Sequence, residues 1–320
     1  MIAESMISTD VDLAVARILA GGLVAMPTET VYGLAADARN RAAVTRVFEV
    51  KGRPADHPLI VHLRSAEDLT EWAAEVPPAA GRLAATCWPG PLTMLLHRHA
   101  GVDESVTGGR ATIGLRVPSH PLAQSLLERV GTGLAAPSAN RFGKVSPTTA
   151  RHVFDDIGAL LDPERDLILD GGPSTVGVES TIVDLTVDPP QILRAGAISV
   201  DDLRRLLSTD VADAAGPRRA SGMLMSHYAP SCAVEPVVDR ATADAVADRR
   251  RADGERVGVL DRTDDLVIAA NRLYADLRAA DASALDRLVV VLPPATGLGH
   301  AIRDRLFKAS ARPDPASRAD

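Results

Sequence analysis

Two rhythms of apolar and polar positions alternate through the first 205 residues. Asp10 to Ala20 repeats its apolar residues at helical spacing, whereas Leu23-Val24-Ala25-Met26 is a short continuous apolar run that stops at Pro27, as a buried strand does. Asn40 can cap a helix over Ala42 to Val50, with Gly52 as its C-cap and Pro54 as a stop. Pro58 to Leu63 reads as a strand, and Ser65 with Asp68 three residues on reads as a helix start. Leu92 to His97 and Thr112 to Val117 are strand-like, His120 to Val130 is helical, Leu134 to Pro137 is a short strand, and Thr148 to Leu161 is a helix. Three short strands, Leu167 to Leu169, Ser180 to Leu185 and Gln191 to Arg194, then follow closely. A parallel crossover needs roughly a dozen residues or more, so antiparallel pairing is required somewhere and the sheet is expected to be mixed.

From Ser208 to Ser221 the periodicity fades into Ala, Asp, Gly, Pro and Arg, the composition of a linker. Val257 to Leu260 and Leu288 to Leu292 then read as strands, alternating with helices over Ala269 to Ala280 and Gly299 to Ala309. That order predicts a second, smaller open α/β unit. The expected organisation is a first domain over 1–205, a linker or lid over 206–233 and a small α/β domain over 234–320, with a frayed tail from Arg312.

Composition narrows the function classes. The net charge is −7, with 19 Lys+Arg against 25 Asp+Glu in residues 1–205 and 16 against 17 in residues 206–320. Neither half has the basic excess of a dedicated nucleic-acid binder. No apolar run approaches the roughly 18 residues of a membrane span, and Met1-Ile2-Ala3-Glu4 lacks the basic stretch of a secretory signal. The two cysteines, Cys87 and Cys232, stand far apart, which suits structural thiols in a reducing cytoplasm. No Cys/His cluster has zinc spacing, so no protein-held metal is expected. Of the 35 basic residues only Lys51, Lys144 and Lys308 are lysine, and the first two fall within motif segments.

The chemistry concentrates in Pro27-Thr28-Glu29-Thr30-Val31-Tyr32-Gly33 and Lys51-Gly52-Arg53-Pro54, which bring hydroxyls, a carboxylate and two cations to the ends of apolar segments. Singly, each motif has an ordinary reading. Thr28 and Thr30 can cap a turn, Lys51 and Arg53 can be a solvated helix end, His62 can be a satisfied core histidine, and Gly171, Gly172 and Gly177 can be hairpin glycines.

Together, PTETVYGLAA, KGRP with HPLIVH, WPGPLT, IGLRVPSHP, APSAN with SPT, DGG with GVESTIVD, and ILRAG resemble the YrdC-like family of threonylcarbamoyl-AMP synthases in order and spacing. Ser221 to Pro230 resembles the linker of the long, two-domain form. The resemblance implies a twisted mixed sheet with flanking helices and an open cavity, followed by a smaller Rossmann-like α/β domain. It implies an enzyme joining L-threonine, bicarbonate and ATP into threonylcarbamoyl-adenylate with release of pyrophosphate, and a separate complex that transfers the product to tRNA. Direct binding of tRNA is expected to be weak or absent.

By the same resemblance Lys51, Arg53, Ser138 and Asn140 form the catalytic set, with Lys51 and Arg53 neutralising the triphosphate. Thr30, His62, Arg116, Ala136 and Ser180 hold threonine, and Arg53, His57, Thr112, Ser138, Ser146, Arg194 and Tyr228 hold ATP. Mg²⁺ is expected to arrive with the nucleotide, and Ser221 to Pro230 to act as a lid. Three positions depart from the family pattern: His57 in place of a common asparagine, the bulky Arg141-Phe142 after Asn140, and Ser221 in place of a common proline. Two rivals share the fold: an enzyme forming carbamoyl-adenylate from carbamoyl phosphate, and a double-stranded RNA-binding module.

Overall fold

A computed structural model describes residues 6–215 and 228–311. Within the first part run β1 (Ile7–Ser8), β2 (Val24–Met26), β3 (Gly33–Asp37), β4 (Ile60–His62), β5 (Leu92–His97), β6 (Thr112–Arg116), β7 (Leu134–Ala135), β8 (Leu167–Leu169), β9 (Thr181–Asp184), β10 (Gln191–Arg194) and β11 (Ala212–Asp213). They form one sheet in the order β1-β8-β2-β3-β7-β4-β6-β5-β9-β10-β11. The sheet is mixed: β4 lies parallel to β6, while β5–β6, β3–β7, β4–β7 and β9–β10 are antiparallel.

Local chemistry explains the flanking helices. Asp10 caps the helix Val11–Leu19 by accepting from the amides of Asp12 and Leu13. Asn40 accepts from the Ala43 amide to start the helix Arg41–Lys51, and Gly52, at φ 61°, ends it in the left-handed conformation that glycine adopts without steric cost. Ser65 does not cap with its side chain; Asp68 instead takes the Arg64 amide and guanidinium. The helix expected over Thr148 to Leu161 is shorter, Ala150–Ile157, because Thr149 caps it and the chain tightens into a 3₁₀ turn at Gly158–Leu160.

The structure adds β3, which pairs antiparallel with β2 and turns the Pro27-to-Tyr32 segment into a hairpin loop. The strand Leu167–Leu169 lies between β1 and β2 rather than beside β9, so the three close strands do not form one meander. The helix Val200–Leu207 buries Leu203 and Leu207 in the main core, and β11 pairs with β10, carrying the first unit into the stretch read as linker.

The second unit holds β12 (Ala233–Val237), β13 (Val257–Leu260) and β14 (Arg287–Val291), all parallel, in the order β12-β14-β13. Helices Arg240–Ala252, Leu266–Ala282 and Leu298–Ser310 alternate with them. β12 and the helix after it add to the expected β-α-β-α order. The two units share a core in which Val31, Val145 and Val178 pack with Tyr228, Leu273, Tyr274, Ile302 and Leu306. Arg278 reinforces the seam with a two-pronged pair to Asp156, and Asn271 donates to the Ser174 and Thr175 carbonyls. Gly177, at φ 82°, lies so close to Asn271 that a Cβ would sit 2.4 Å from its Cα, so this glycine is required by the docking of the second unit. Among the described residues no helix is long and apolar enough to cross a membrane.

Candidate active site

Strand ends create the cleft. His62 ends β4, Arg116 ends β6 directly opposite it, Arg194 ends β10, and Ser180 immediately precedes β9. The β2–β3 loop and the segment after β7 close the sides. The result is a cleft of about 590 Å³, counted to its open mouth, with Thr30, Arg53, His62, Arg116, Ala136, Ser138, Ser180, Arg194 and Tyr228 on its walls. Nine of the residues expected at the site therefore meet in one place.

Arg116 is the electrostatic centre of the inner half. Its Nη1 donates to Thr30 Oγ1 at 2.9 Å and its Nε to the Gly90 carbonyl at 3.2 Å. Its Nη2 lies 2.7 Å from Glu29 Oε1, but the approach is off the N–H direction, so both buried atoms keep hydrogen-bonding capacity. Thr28 performs the turn-capping expected of it, donating to the Val31 carbonyl at 2.6 Å and accepting from the amides of Thr30 and Val31. That turn points Thr30 at Arg116. Ser180 Oγ contacts Thr93 Oγ1 at 2.8 Å and accepts from Arg194 Nη2 at 2.9 Å. His62 is buried with Nδ1 lacking a hydrogen-bond partner among the described residues. A core histidine would be satisfied; this one faces the cleft.

Burial, and then the Arg116 guanidinium, push the His62 imidazole down to about 3. An unfolded histidine titrates near ~6.5, so below that pH the unfolded chain binds a proton that folded His62 refuses, and stability falls as pH falls. His152, held at about 4 chiefly by burial, adds to the trend. We expect the thermal midpoint to drop less steeply between pH 7 and 5 in His62→Gln than in the unaltered chain. Equal slopes would mean that His62 is charged or exposed in the folded state.

The outer half is cationic. Arg53 lines the cleft, donates to the Pro58 carbonyl at 3.0 Å and lies over the Phe142 ring at 5.7 Å. His57 meets the same ring edge-on at 5.3 Å, so the bulky Phe142 organises two expected nucleotide residues. Arg141 donates to the Val50 carbonyl and closes the end of the helix Arg41–Lys51. Lys51 is buried behind the wall. Its Nζ donates to the Ser138 and Asn140 carbonyls at 2.5 Å each, and Asn140 Nδ2 donates to the Arg141 and Lys144 carbonyls. These two shape the 138–144 loop, and only Ser138 of that loop reaches the cleft.

Thr112 begins β6, four residues before Arg116 and roughly 13 Å away at strand rise. It shares a face with Gly114 and Arg116 but is not among the residues lining the cleft; Ile60 and Thr93 pack at Gly114, where a Cβ would stand 3.4 Å from each. Ser146 stands one layer back and donates to Glu179 Oε1 at 2.6 Å. Tyr228 closes the cleft from above, stacked on Tyr274 with ring centroids 5.6 Å apart. The remainder of the expected lid, Ser221 to His227, lies outside the described residues.

Sequence reasoning missed Glu179 and Arg305. Glu179 lines the cleft and accepts from Ser146, from Tyr274 Oη at 2.7 Å and from Arg305 Nε at 2.9 Å. Burial alone would raise its pKa, but Arg305, Arg194 and those hydrogen bonds hold it at about 2. The available signal was Arg305 itself, a charge on the buried face set by Ala301, Ile302, Leu306 and Ala309.

Comparison with known proteins agrees with this arrangement. A family model described as telomere recombination (Sua5/YciO/YrdC) matches residues 16–196, and one described as the C-terminal domain of threonylcarbamoyl-AMP synthase matches residues 198–311. The threonylcarbamoyl-AMP synthase of Pyrococcus abyssi is 38% identical over 93% of this chain and 93% of its own length. That of Bacillus subtilis is 37% identical over 90% of this chain and 89% of its own. The crystal structure of P. abyssi Sua5 complexed with L-threonine superposes with a TM-score of 0.88 at 37% identity, covering 94% of both chains. Similarity of this extent, through both units and the seam between them, makes the chain a two-domain member of the Sua5/YciO/YrdC family.

Proposed function

We propose that the chain is an L-threonylcarbamoyladenylate synthase, condensing L-threonine, bicarbonate and ATP into threonylcarbamoyl-AMP and pyrophosphate. The observation that carries this reading is Arg116 with an unspent, buried Nη2 beside a neutral His62 and the Thr30 and Ser180 hydroxyls. A guanidinium edge is the natural two-pronged partner for an amino acid carboxylate, and the hydroxyls and imidazole suit its amine and side-chain hydroxyl. The curated relatives carry that activity in their names, and a related structure holds L-threonine.

The chemistry requires no protein nucleophile. The amine of threonine attacks the carbon of bicarbonate, and loss of water leaves a carbamate. A carbamate oxygen then attacks the α-phosphorus of ATP, the α–β bridging P–O bond breaks, and its electron pair leaves on pyrophosphate. Charge gathers on phosphate oxygens, so the enzyme acts by positioning and by cationic stabilisation. Arg53, Arg194 and Ser138 on the cleft wall are assigned to the nucleotide, with His57 and Thr112 outside the cleft lining. Ala136 backbone and Ser180 bound the amino acid end, while Lys51, Asn140 and Ser146 keep the walls in place.

For Mg²⁺, the described residues contain no cluster of three or more metal-binding side chains, and Glu179, the carboxylate on the cleft wall, is paired with Arg305. The described residues thus do not fit a resident ion. Mg²⁺ belongs to the nucleotide, held by phosphate and water as this hard cation prefers. A carbamate and an adenylate both hydrolyse readily, so coverage of the cleft by Tyr228 serves the product. The adenylate is a donor for a separate complex that modifies tRNA.

The test is pyrophosphate release with threonine, bicarbonate and ATP omitted in turn. Release should require all three. Release supported by carbamoyl phosphate without threonine would replace this reading with the carbamoyl-adenylate one.

A further inference from the structure

We propose that Arg305 of the second unit is a positioning residue for the nucleotide-facing wall: by occupying Glu179, it keeps that carboxylate on Ser146 and Tyr274 and off Arg194. This rests on the reading of the cleft given above.

Arg305 is completely buried, on the inward face of Leu298–Ser310. Its Nε donates to Glu179 Oε2 and its Nη1 to Asp304, and its guanidinium carbon lies 5.3 Å from the centre of the Tyr228 ring. Glu179 is itself buried on the cleft wall, and its other oxygen accepts from Ser146. The two arginines that act electrostatically on Glu179 are Arg305 and Arg194. Arg194 uses Nε and Nη2 on the Ser180 carbonyl and hydroxyl.

A carboxylate in so dry a place must be matched by a cation, and a buried charge left without one is strongly destabilising. With Arg305 present, the match comes from the side facing away from the cleft. With Arg305 removed, the cation left acting on Glu179 among the described residues is Arg194. Glu179 would then turn from Ser146 and draw Arg194 off Ser180, disturbing the phosphate side of the cleft while Arg116 and Thr30 stay in place. The guanidinium under Tyr228 ties the ring that closes the cleft to the same support. The second unit thereby contributes to the active site without touching substrate.

The experiment titrates ATP against the full chain and its variants, by pyrophosphate release and by calorimetry with MgATP alone. Arg305→Met should raise the KM for ATP about tenfold, roughly the effect of one misplaced charged contact, and leave the KM for threonine within about twofold. Glu179→Gln combined with Arg305→Met removes the stranded carboxylate and should bring the ATP value back to within about threefold of the unaltered chain. A purely structural role predicts instead that the double variant is no better than the single one and that both substrates suffer alike. Either an unchanged ATP KM in Arg305→Met or no recovery in the double variant overturns the proposal. Should Arg305→Met fail to fold, the double variant decides: it must fold and bind MgATP nearly normally, and failure in either overturns the proposal. If the unaltered chain shows no threonine-dependent turnover, the functional reading fails, whereas the calorimetric shift still judges Arg305.

Discussion

Arg116→Met is expected to lower kcat/KM for threonine on the order of a hundredfold or more, because it removes the charged fork and strands Glu29. The loss is expected to fall mainly on the KM for threonine, since Arg116, with Thr30 and His62, lines the end of the cleft proposed for the amino acid. Stability falls too: breaking a buried ion pair by deleting one partner costs about 3–5 kcal/mol. Arg116→Lys separates the two effects. An ammonium still neutralises Glu29, so most of the thermal midpoint should return, but it cannot present two parallel donors to a carboxylate. Threonine affinity should therefore stay at least about tenfold weak. Steady-state kinetics with threonine varied, beside thermal melting, read both quantities. Full recovery of threonine affinity in the lysine variant would show that the fork has no role.

Replacing the two cations of the Lys51-Gly52-Arg53 segment should give different outcomes in spite of their closeness in sequence. Lys51→Met leaves the Ser138 and Asn140 carbonyls buried without their donor, at about 1–3 kcal/mol for each unsatisfied group. It should destabilise the chain and, by releasing the loop that carries Ser138, reduce turnover on the order of a hundredfold. Arg53→Ala removes a half-buried side chain on the cleft wall whose contacts include the Pro58 carbonyl and the Phe142 ring. Its turnover should fall by a similar factor, with the thermal midpoint nearly unchanged, as for a substitution at a cleft wall. Comparing melting and pyrophosphate release for the two variants checks this. A Lys51→Met variant that melts and turns over like the unaltered chain would remove the loop from the account.

Much of the frame was legible because it depends on local chemistry. Asp10, Asn40 and Gly52 mark helix ends by hydrogen bonding and backbone freedom, and continuous apolar runs mark the central strands, buried on both faces. Less legible were elements whose local pattern is weak. β12 contains Pro236 and is tolerated at a sheet edge, and Arg240–Ala252 buries only Ala243 and Ala247, too small to produce a periodic signal. The position of Leu167–Leu169 between β1 and β2 is a matter of topology, which neighbours in sequence do not reveal.

The candidate site divides the same way. Thr30, His62, Arg116, Ser180 and Arg194 stand at strand ends or beside them, where reading strand boundaries finds them. Lys51 and Asn140 carry the motif but spend their donors, Nζ and Nδ2, on backbone carbonyls, a distinction that only packing can make. Glu179 and Arg305 are 126 positions apart and belong to different units, so no spacing rule links them. Only a charge on an otherwise apolar helix face hinted that Arg305 has a buried partner.

On the proposed reading, one cleft joins a carboxylated threonine to the α-phosphate of ATP. The most direct measurement supplies ¹³C-bicarbonate and ¹⁵N-threonine with ATP and resolves the nucleotide product by mass spectrometry under single-turnover conditions. A single adenylate carrying both labels should form in step with pyrophosphate. An adenylate carrying the nitrogen label but not the carbon one, or pyrophosphate without any labelled adenylate, would contradict it.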